Sequence, residues 1–164
     1  MRIKFISLIS IFLVACASTK NTNTSNVDVK SAKEFVSASQ EASWKLLTGK
    51  WYGSQPTKEG GVKQEIMERK SNGTYKISFK IKSKSGAISQ TEEYGEWGTS
   101  GPIYFSIFKG FIRAGNESSV DVEPYNYDAY RIINLNTDLF EYEHVTTGNK
   151  YIVKRVSKNF EFPN

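Results

Sequence analysis

The chain has 164 residues, of which 38% are apolar and 13% aromatic, and this composition is enough to build one core. Its 22 Lys and Arg residues outnumber its 17 Asp and Glu residues, but the basic residues form no run typical of a nucleic-acid-binding arm. Cys16 is the single cysteine, which excludes an internal disulfide, so the folded state must be stabilised by its core.

The first sixteen residues, MRIKFISLISIFLVAC, combine a short basic start with an apolar run. The run from Ile6 to Val14 is too short to span a bilayer comfortably, and a polar linker follows it. Its ending, Leu13-Val14-Ala15-Cys16, resembles the lipobox of bacterial lipoproteins. The resemblance implies that residues 1–15 are a signal peptide and that Cys16 carries the fatty acyl chains, such as palmitate, that anchor the protein to a membrane. An uncleaved transmembrane anchor is the alternative.

The residues after Cys16 bear on where the anchored protein would lie. In Gram-negative lipoproteins an aspartate directly after the cysteine tends to retain the protein in the inner membrane. Ala17 and Ser18 stand there instead, so we expect an outer-membrane protein that faces the periplasm. Residues 16–30 are rich in Asn, Thr and Ser, which is typical of a disordered tether.

The segment 31–47 carries a helical pattern. Ser31 is placed to cap a helix with Glu34 three residues later, and apolar residues recur on one face at Phe35, Ala38, Ala42 and Leu46. We therefore predict a short helix that leads into one domain over residues 31–164.

From Gly49 onward the pattern is that of strands separated by turns. The run from Tyr75 to Lys82 alternates apolar and polar residues, and Ser71-Asn72-Gly73-Thr74 before it is typical of a hairpin turn. Eight strands are predicted, over residues 50–56, 62–70, 75–82, 88–98, 103–113, 127–135, 139–145 and 150–156. Short connections favour an all-β fold, an eight-stranded antiparallel up-and-down barrel, with a two-sheet sandwich as the competing architecture.

Two positions of this pattern resemble a known family. Gly49-Lys50-Trp51 is similar to the G-x-W motif that opens the barrel of lipocalins, and Arg155 lies near the end of the last predicted strand. The resemblance implies that Trp51 plugs the closed end of a lipocalin-like barrel and that Arg155 packs across its ring, as a barrel-closing pair. The T-D-Y-like turn and the C-terminal helix of that family are missing from the sequence. The opening also looks like that of avidins, but the polar biotin-binding residues do not follow.

The last two predicted hairpins give a register that sorts the two faces of the sheet. Turns at Asn136-Thr137-Asp138 and Thr147-Gly148 would set these pairs opposite each other: Ile132 and Tyr142, Tyr130 and His144, Tyr142 and Val153, His144 and Tyr151, Phe140 and Arg155. The other face would carry the charge pairs Arg131 with Glu143 and Glu141 with Lys154, which suit solvent.

The inward set is apolar and aromatic with a few polar tips, which is typical of a ligand cavity. The candidate cavity residues are Tyr75, Ile77, Phe79, Tyr130, Ile132, Phe140, Tyr142, His144, Tyr151 and Val153. They favour a binding module for a small hydrophobic or amphipathic ligand, which is also what the lipocalin resemblance implies. A filled barrel that docks an envelope protein partner is the alternative.

An enzyme is not expected. His144 is the only histidine, its strand neighbours are aromatic, and it lacks the nucleophile and orienting carboxylate that a catalytic base needs. No metal site and no cofactor are predicted, since Cys16 is acylated in this interpretation and His144 has no companion ligand.

We predict that Cys16→Ser leaves an unprocessed precursor, because the acylated thiol is needed before the signal peptide can be removed. Metabolic labelling with a fatty acid, followed by electrophoresis, measures both effects. Label that persists on the serine variant would contradict the assignment.

Overall fold

The computed structural model describes residues 29–163, with side chains from residue 38 onward. The predicted signal peptide, Cys16 and most of the predicted tether lie outside the described residues. The described part begins with helix α1, Val29–Leu47. No helix between residues 29 and 163 combines the length and apolar character needed to span a bilayer.

The rest of the described chain is a closed antiparallel barrel. Its strands are β1 Gly49–Pro56, β2 Val62–Arg69, β3 Thr74–Lys82, β4 Ile88–Ser100, β5 Ile103–Arg113, β6 Asn116–Ser119, β7 Tyr127–Leu135, β8 Leu139–His144 and β9 Lys150–Arg155. Each barrel strand pairs with its neighbour along the chain, and β1 pairs with β9 to close the ring. The predicted eight-stranded up-and-down barrel preceded by a short helix is therefore confirmed, and the sandwich is excluded because no edge separates two sheets.

The loop over residues 114–126 holds more structure than its sequence indicates. Strand β6 pairs with the second half of β5, while β7 pairs with the first half, so β6 extends the sheet beyond the ring of eight strands. A 3-10 helix, Pro124–Asn126, then leads into β7.

The hairpin between β2 and β3 shows how local sequence sets the register. Gly73 takes a φ of 84°, and the Asn72 side chain accepts a hydrogen bond from the Thr74 backbone N–H at 3.1 Å. This turn places Arg69 opposite Tyr75. Along β3 the alternation then buries Tyr75 and Ile77 inside the barrel.

Helix α1 packs through a face that differs from the predicted one. Ala38 and Ala42 are exposed, whereas Trp44 stacks on Trp97 with ring centroids 4.2 Å apart. The Gln40 side chain donates to the Thr99 carbonyl at 2.6 Å, and Leu47 is fully buried. The large indole ring decides the packing face, because it buries far more apolar area than the two alanines.

The predicted register between β8 and β9 is wrong by two residues. Tyr142 lies opposite Tyr151 and Phe140 opposite Val153, because the turn is centred earlier and Gly148 takes the left-handed position at its end, with a φ of 70°. Glu141 consequently lies opposite Ile152 and not Lys154. A shift of two residues preserves the alternation, so each side chain keeps its predicted face.

The chain after β9 runs along the outer face of the barrel. Lys50 donates to the Phe160 carbonyl at 2.6 Å, and Lys80 donates to the Pro163 carbonyl at 2.9 Å. The Phe160 ring lies 5.0 Å from the ring of Tyr52, between centroids. The outward-facing Ile66 is buried in the same region, which makes this tail part of the folded unit.

We predict that Trp51→Ala lowers the free energy of unfolding by about 3–5 kcal/mol, because Trp51 is a large side chain with 1% exposure in the core. Denaturant unfolding followed by circular dichroism measures the change. Ile152→Ala is the control, since Ile152 is exposed on neighbouring β9 and its truncation is expected to cost less than about 0.5 kcal/mol. Equal effects of the two variants would contradict a core role for Trp51.

Candidate functional site

One end of the barrel is closed by contacts among Trp51, Arg155 and the end of α1. The Arg155 guanidinium carbon lies 4.3 Å from the centroid of the Trp51 ring. Its Nη1 donates to the Thr48 carbonyl at 2.9 Å, its Nη2 donates to the Leu46 carbonyl, and Trp51 Nε1 donates to the Leu47 carbonyl at 2.9 Å. Carbonyls at a helix C-terminus lack intrahelical partners, so these donors fix α1 across the end of the barrel.

Gly49 gives the G-x-W pattern a local reason. Its φ is 119°, and a Cβ added there would lie 2.6 Å from Arg155 Nη1. A side chain at this position would be strained and would displace the guanidinium from the helix carbonyls.

All ten predicted cavity residues lie on inward-facing positions of the barrel strands. In the half nearer α1 they are packed together, with the rings of Phe140 and Tyr142 stacked at 4.4 Å between centroids. Tyr130 meets Tyr142 edge-on at 5.2 Å, and Tyr151 stacks on Tyr142 at 5.1 Å. Tyr104, which the sequence analysis missed, joins this cluster and is almost fully buried. Tyr104, Phe140 and Tyr142 therefore form an aromatic floor in this half of the barrel, and the rings of Tyr130 and Tyr151 lie against it.

Charged side chains also occupy inward-facing positions. They are residues that the sequence analysis did not predict to face inward: Lys63, Glu65, Arg69, Glu93 and Asp128. Arg69 lies deepest, and the Lys63 ammonium lies 4.1 Å from the centroid of the Phe79 ring. The strand VKQEIMER alternates polar residues on both faces, so its own pattern does not identify the inner one. The Asn72-Gly73 turn is the signal that would have placed Arg69 beside the inward Tyr75.

Glu65 lies in the middle of the interior. Gly53 is its neighbour across β1 and β2, and a Cβ at Gly53 would come within 3.1 Å of the Glu65 side chain, so the glycine makes room for the carboxylate. The Tyr142 hydroxyl donates to Glu65 Oε1 at 3.3 Å. Burial raises the pKa of Glu65, while Lys63, Arg69 and this hydrogen bond act in the opposite direction.

Glu93 and Asp128 are two further carboxylates at inward-facing positions. Burial raises the pKa of Glu93, Lys63 lowers it, and Asp128 raises it further. The interior thus combines three carboxylates with two cationic side chains. Glu65 and Glu93 are the more buried carboxylates, while the Asp128 side chain is 43% exposed. Such groups are rarely placed in a core that serves packing alone.

Both ring nitrogens of His144 have partners. Its Nδ1 accepts hydrogen bonds from the backbone N–H groups of Thr146 and Thr147, each at 3.1 Å. Its Nε2 must therefore carry the proton, which it donates to Asp128 Oδ1 at 3.0 Å. His144 holds the β8–β9 turn against β7 rather than presenting a free nitrogen to a ligand. No group of three His, Cys, Asp or Glu residues in the described part of the chain is arranged to hold a metal ion.

The barrel wall has an opening at the end away from α1. Strands β1 and β9 pair over only three residues, from Trp51 with Arg155 to Gly53 with Val153. Beyond these pairs a slot of about 160 Å³ separates residues 53–55 from residues 150–152, and both Lys63 and Glu65 line it. A larger cleft of about 490 Å³ lies on the outer face, between β1–β4 and the tail that contains Phe160.

Comparisons with known proteins place few constraints on this chain. No protein-family model matches it, and no curated protein matches it. A crystal structure of a lipocalin-like protein from Bacteroides uniformis aligns with a TM-score of 0.40 and 17% identity, covering 68% of this chain and 99% of that one.

We predict that Glu65 makes the protein less stable as the pH rises above 4.5, the ordinary glutamate value. Above that pH the carboxyl of Glu65 loses its proton in the unfolded state, while the raised pKa keeps the carboxyl protonated in the folded state until the pH is higher. Glu65→Gln should remove this loss and raise the unfolding free energy at neutral pH. Denaturant unfolding across pH 4–8 measures the difference.

Glu92→Gln is the control with the opposite sign. Burial raises the pKa of Glu92, but hydrogen bonds from Lys76 and Ser78 outweigh burial and lower the pKa overall. Its contribution to stability is therefore lost as the pH falls. For each variant the difference in unfolding free energy from the wild type is followed across the pH range. The same pH dependence of this difference in Glu65→Gln and Glu92→Gln would contradict the assignment for Glu65.

Proposed function

We propose that this protein is a membrane-anchored binding module whose barrel takes a small amphipathic ligand. The observation that carries the proposal is the placement of ionisable side chains on inward-facing positions above an aromatic floor, at the end of the barrel that α1 does not cover. An interior built for packing alone is filled with apolar side chains, whereas ligand sites combine apolar walls with a few polar groups.

The arrangement of the interior supports the amphipathic character of the ligand. The rings of Phe79, Tyr130 and Tyr151 offer contacts to an apolar body. Glu65 and Lys63 lie beside these rings and line the slot between β1 and β9, so charged side chains adjoin the same apolar surface. Eight-stranded up-and-down barrels, the lipocalins among them, are wide enough to hold one small ligand.

The anchor is supported by sequence alone. The lipobox at Leu13–Cys16 favours a protein tethered by acyl chains, and Ala17 and Ser18 favour the outer membrane with the barrel facing the periplasm. In this proposal the membrane partner is reached through Cys16, and the barrel remains free to exchange its ligand.

The second candidate is an interaction module that docks an envelope protein. It is favoured by the aromatic packing in the half of the barrel near α1 and by exposed apolar side chains in the loop before β7. Tyr125 is 76% exposed and Val122 is 72% exposed. Such side chains are typical of contact surfaces when they lie together.

A binding titration separates the two candidates. We predict that the full chain in lipid nanodiscs binds an environment-sensitive apolar dye or a fatty acid saturably and near one-to-one, after subtraction of empty nanodiscs. Tyr142→Phe removes a hydroxyl from the interior and should weaken a polar ligand by about 0.5–1.5 kcal/mol, with little effect on a purely apolar one.

Tyr52→Phe is the matched control, because the Tyr52 hydroxyl lies on the outer face, where it accepts from the Gln64 side chain at 2.9 Å. This variant should leave both classes of ligand unaffected. Absence of saturable binding across a broad panel of lipids and hydrophobic small molecules would favour the interaction module instead.

A further inference from the structure

We propose that Arg69 binds the carboxylate of the ligand, so that the barrel takes an amphipathic carboxylic acid with its head group inward. This inference rests on the proposed binding function and specifies its ligand class. The site lies between β2, β3 and β5, at the end of the barrel interior that is nearer α1.

Arg69 is a buried cation whose polar atoms are incompletely used. The residue is 2% exposed, and its Nε and Nη1 have no hydrogen-bond partner among the described residues. A buried charge without hydrogen bonds is costly, and buried charges in proteins are normally paired. The unused donors therefore indicate that a further group completes this site.

No carboxylate of the described side chains forms an ion pair with Arg69. Glu65 lies four residues earlier on the same face of β2, but its Oε1 accepts the hydrogen bond of Tyr142. Arg69 lowers the pKa of Glu65 through space against the larger effect of burial, and Glu65 does not occupy the guanidinium donors. An acidic group delivered by a ligand would occupy them directly.

Two aromatic rings pack against the Arg69 guanidinium. The Arg69 Cζ lies 4.6 Å from the ring centroid of Tyr104 and 5.4 Å from that of Phe140. These cation–π contacts hold the planar group in a fixed orientation. A guanidinium held in this way presents its N–H groups within the plane, where a carboxylate binds best.

One phenol group adjoins the same site. The Tyr104 hydroxyl donates to the thioether of Met67 at 3.5 Å, a weak acceptor that a carboxylate would outcompete. Tyr75 lies opposite Arg69 in the β2–β3 pairing, but its ring packs over Gly95 of β4, on the side away from β2. A carboxylate that displaced the packing around Arg69 would therefore meet the guanidinium and the Tyr104 hydroxyl.

The test compares octanoate with octanamide, which share their chain and differ in charge. Calorimetric titration of the full chain in nanodiscs should show octanoate binding about tenfold more tightly, as expected for hydrogen bonds to a charged group. Arg69→Gln should abolish this preference, because it weakens octanoate more than octanamide. Arg131→Gln is the control, since Arg131 is exposed on the outer face and should alter neither affinity.

Equal affinity of the wild type for the two ligands, or an octanoate preference that survives in Arg69→Gln, would overturn the carboxylate assignment. If neither ligand binds but other compounds bind saturably, the barrel remains a binding module and this inference alone fails. If nothing in the panel binds, the proposed function fails with it.

A measurement on the wild type covers the case in which Arg69→Gln does not fold. The 15N resonance of the Arg69 Nε–H group should shift saturably with octanoate and stay unchanged with octanamide. A resonance that responds to neither ligand would show that neither reaches Arg69, and would overturn the inference.

Discussion

The closed end of the barrel depends on one arginine that packs on a core ring of β1 and also donates hydrogen bonds to the end of α1. Arg155 lies over the Trp51 ring and donates to the carbonyls of Leu46 and Thr48, where α1 ends. The helix C-terminus would otherwise leave carbonyls without partners beside the core. Because Gly49 alone permits this approach, the start of β1, the end of β9 and the helix are fixed in a single arrangement, and the barrel is left with one free end.

Closing one end determines how the interior can be used. The packed rings of Phe140, Tyr104 and Tyr142 supply apolar burial where α1 and Trp51 exclude water. Polar groups can then be tolerated toward the free end, since Asp128 is 43% exposed there and the slot beside Glu65 opens to water. The barrel is thus divided into a floor that stabilises the fold and an opposite half whose charged groups cost stability, a division that fits the proposed binding function.

Alternation made the faces of β3, β8 and β9 predictable, because each of these strands has one apolar side. The error of two residues between β8 and β9 left these faces intact, since a side chain changes face only when the register shifts by an odd number. The polar interior was not predictable in this way. Along β2, Lys63, Glu65 and Arg69 alternate with an outer face that includes the apolar Val62 and Ile66. The pattern of this strand therefore favours the wrong face, and only its pairing with Tyr75 and Phe79 identifies the inner one. Strand β6 was missed because its four polar residues, NESS, carry no apolar pattern.

The polar interior and the aromatic floor are connected through Arg69. Its guanidinium packs on the rings of Tyr104 and Phe140, so the cation is part of the floor, yet its Nε and Nη1 remain without partners. An apolar residue of similar volume would avoid the desolvation of a charge and would still contact both rings. The cation–π contacts give arginine one physical reason at this position, and a ligand that reaches its unused donors with an acidic group would give it a second. The interior charge that weakens the free protein would then be the group that holds the bound state.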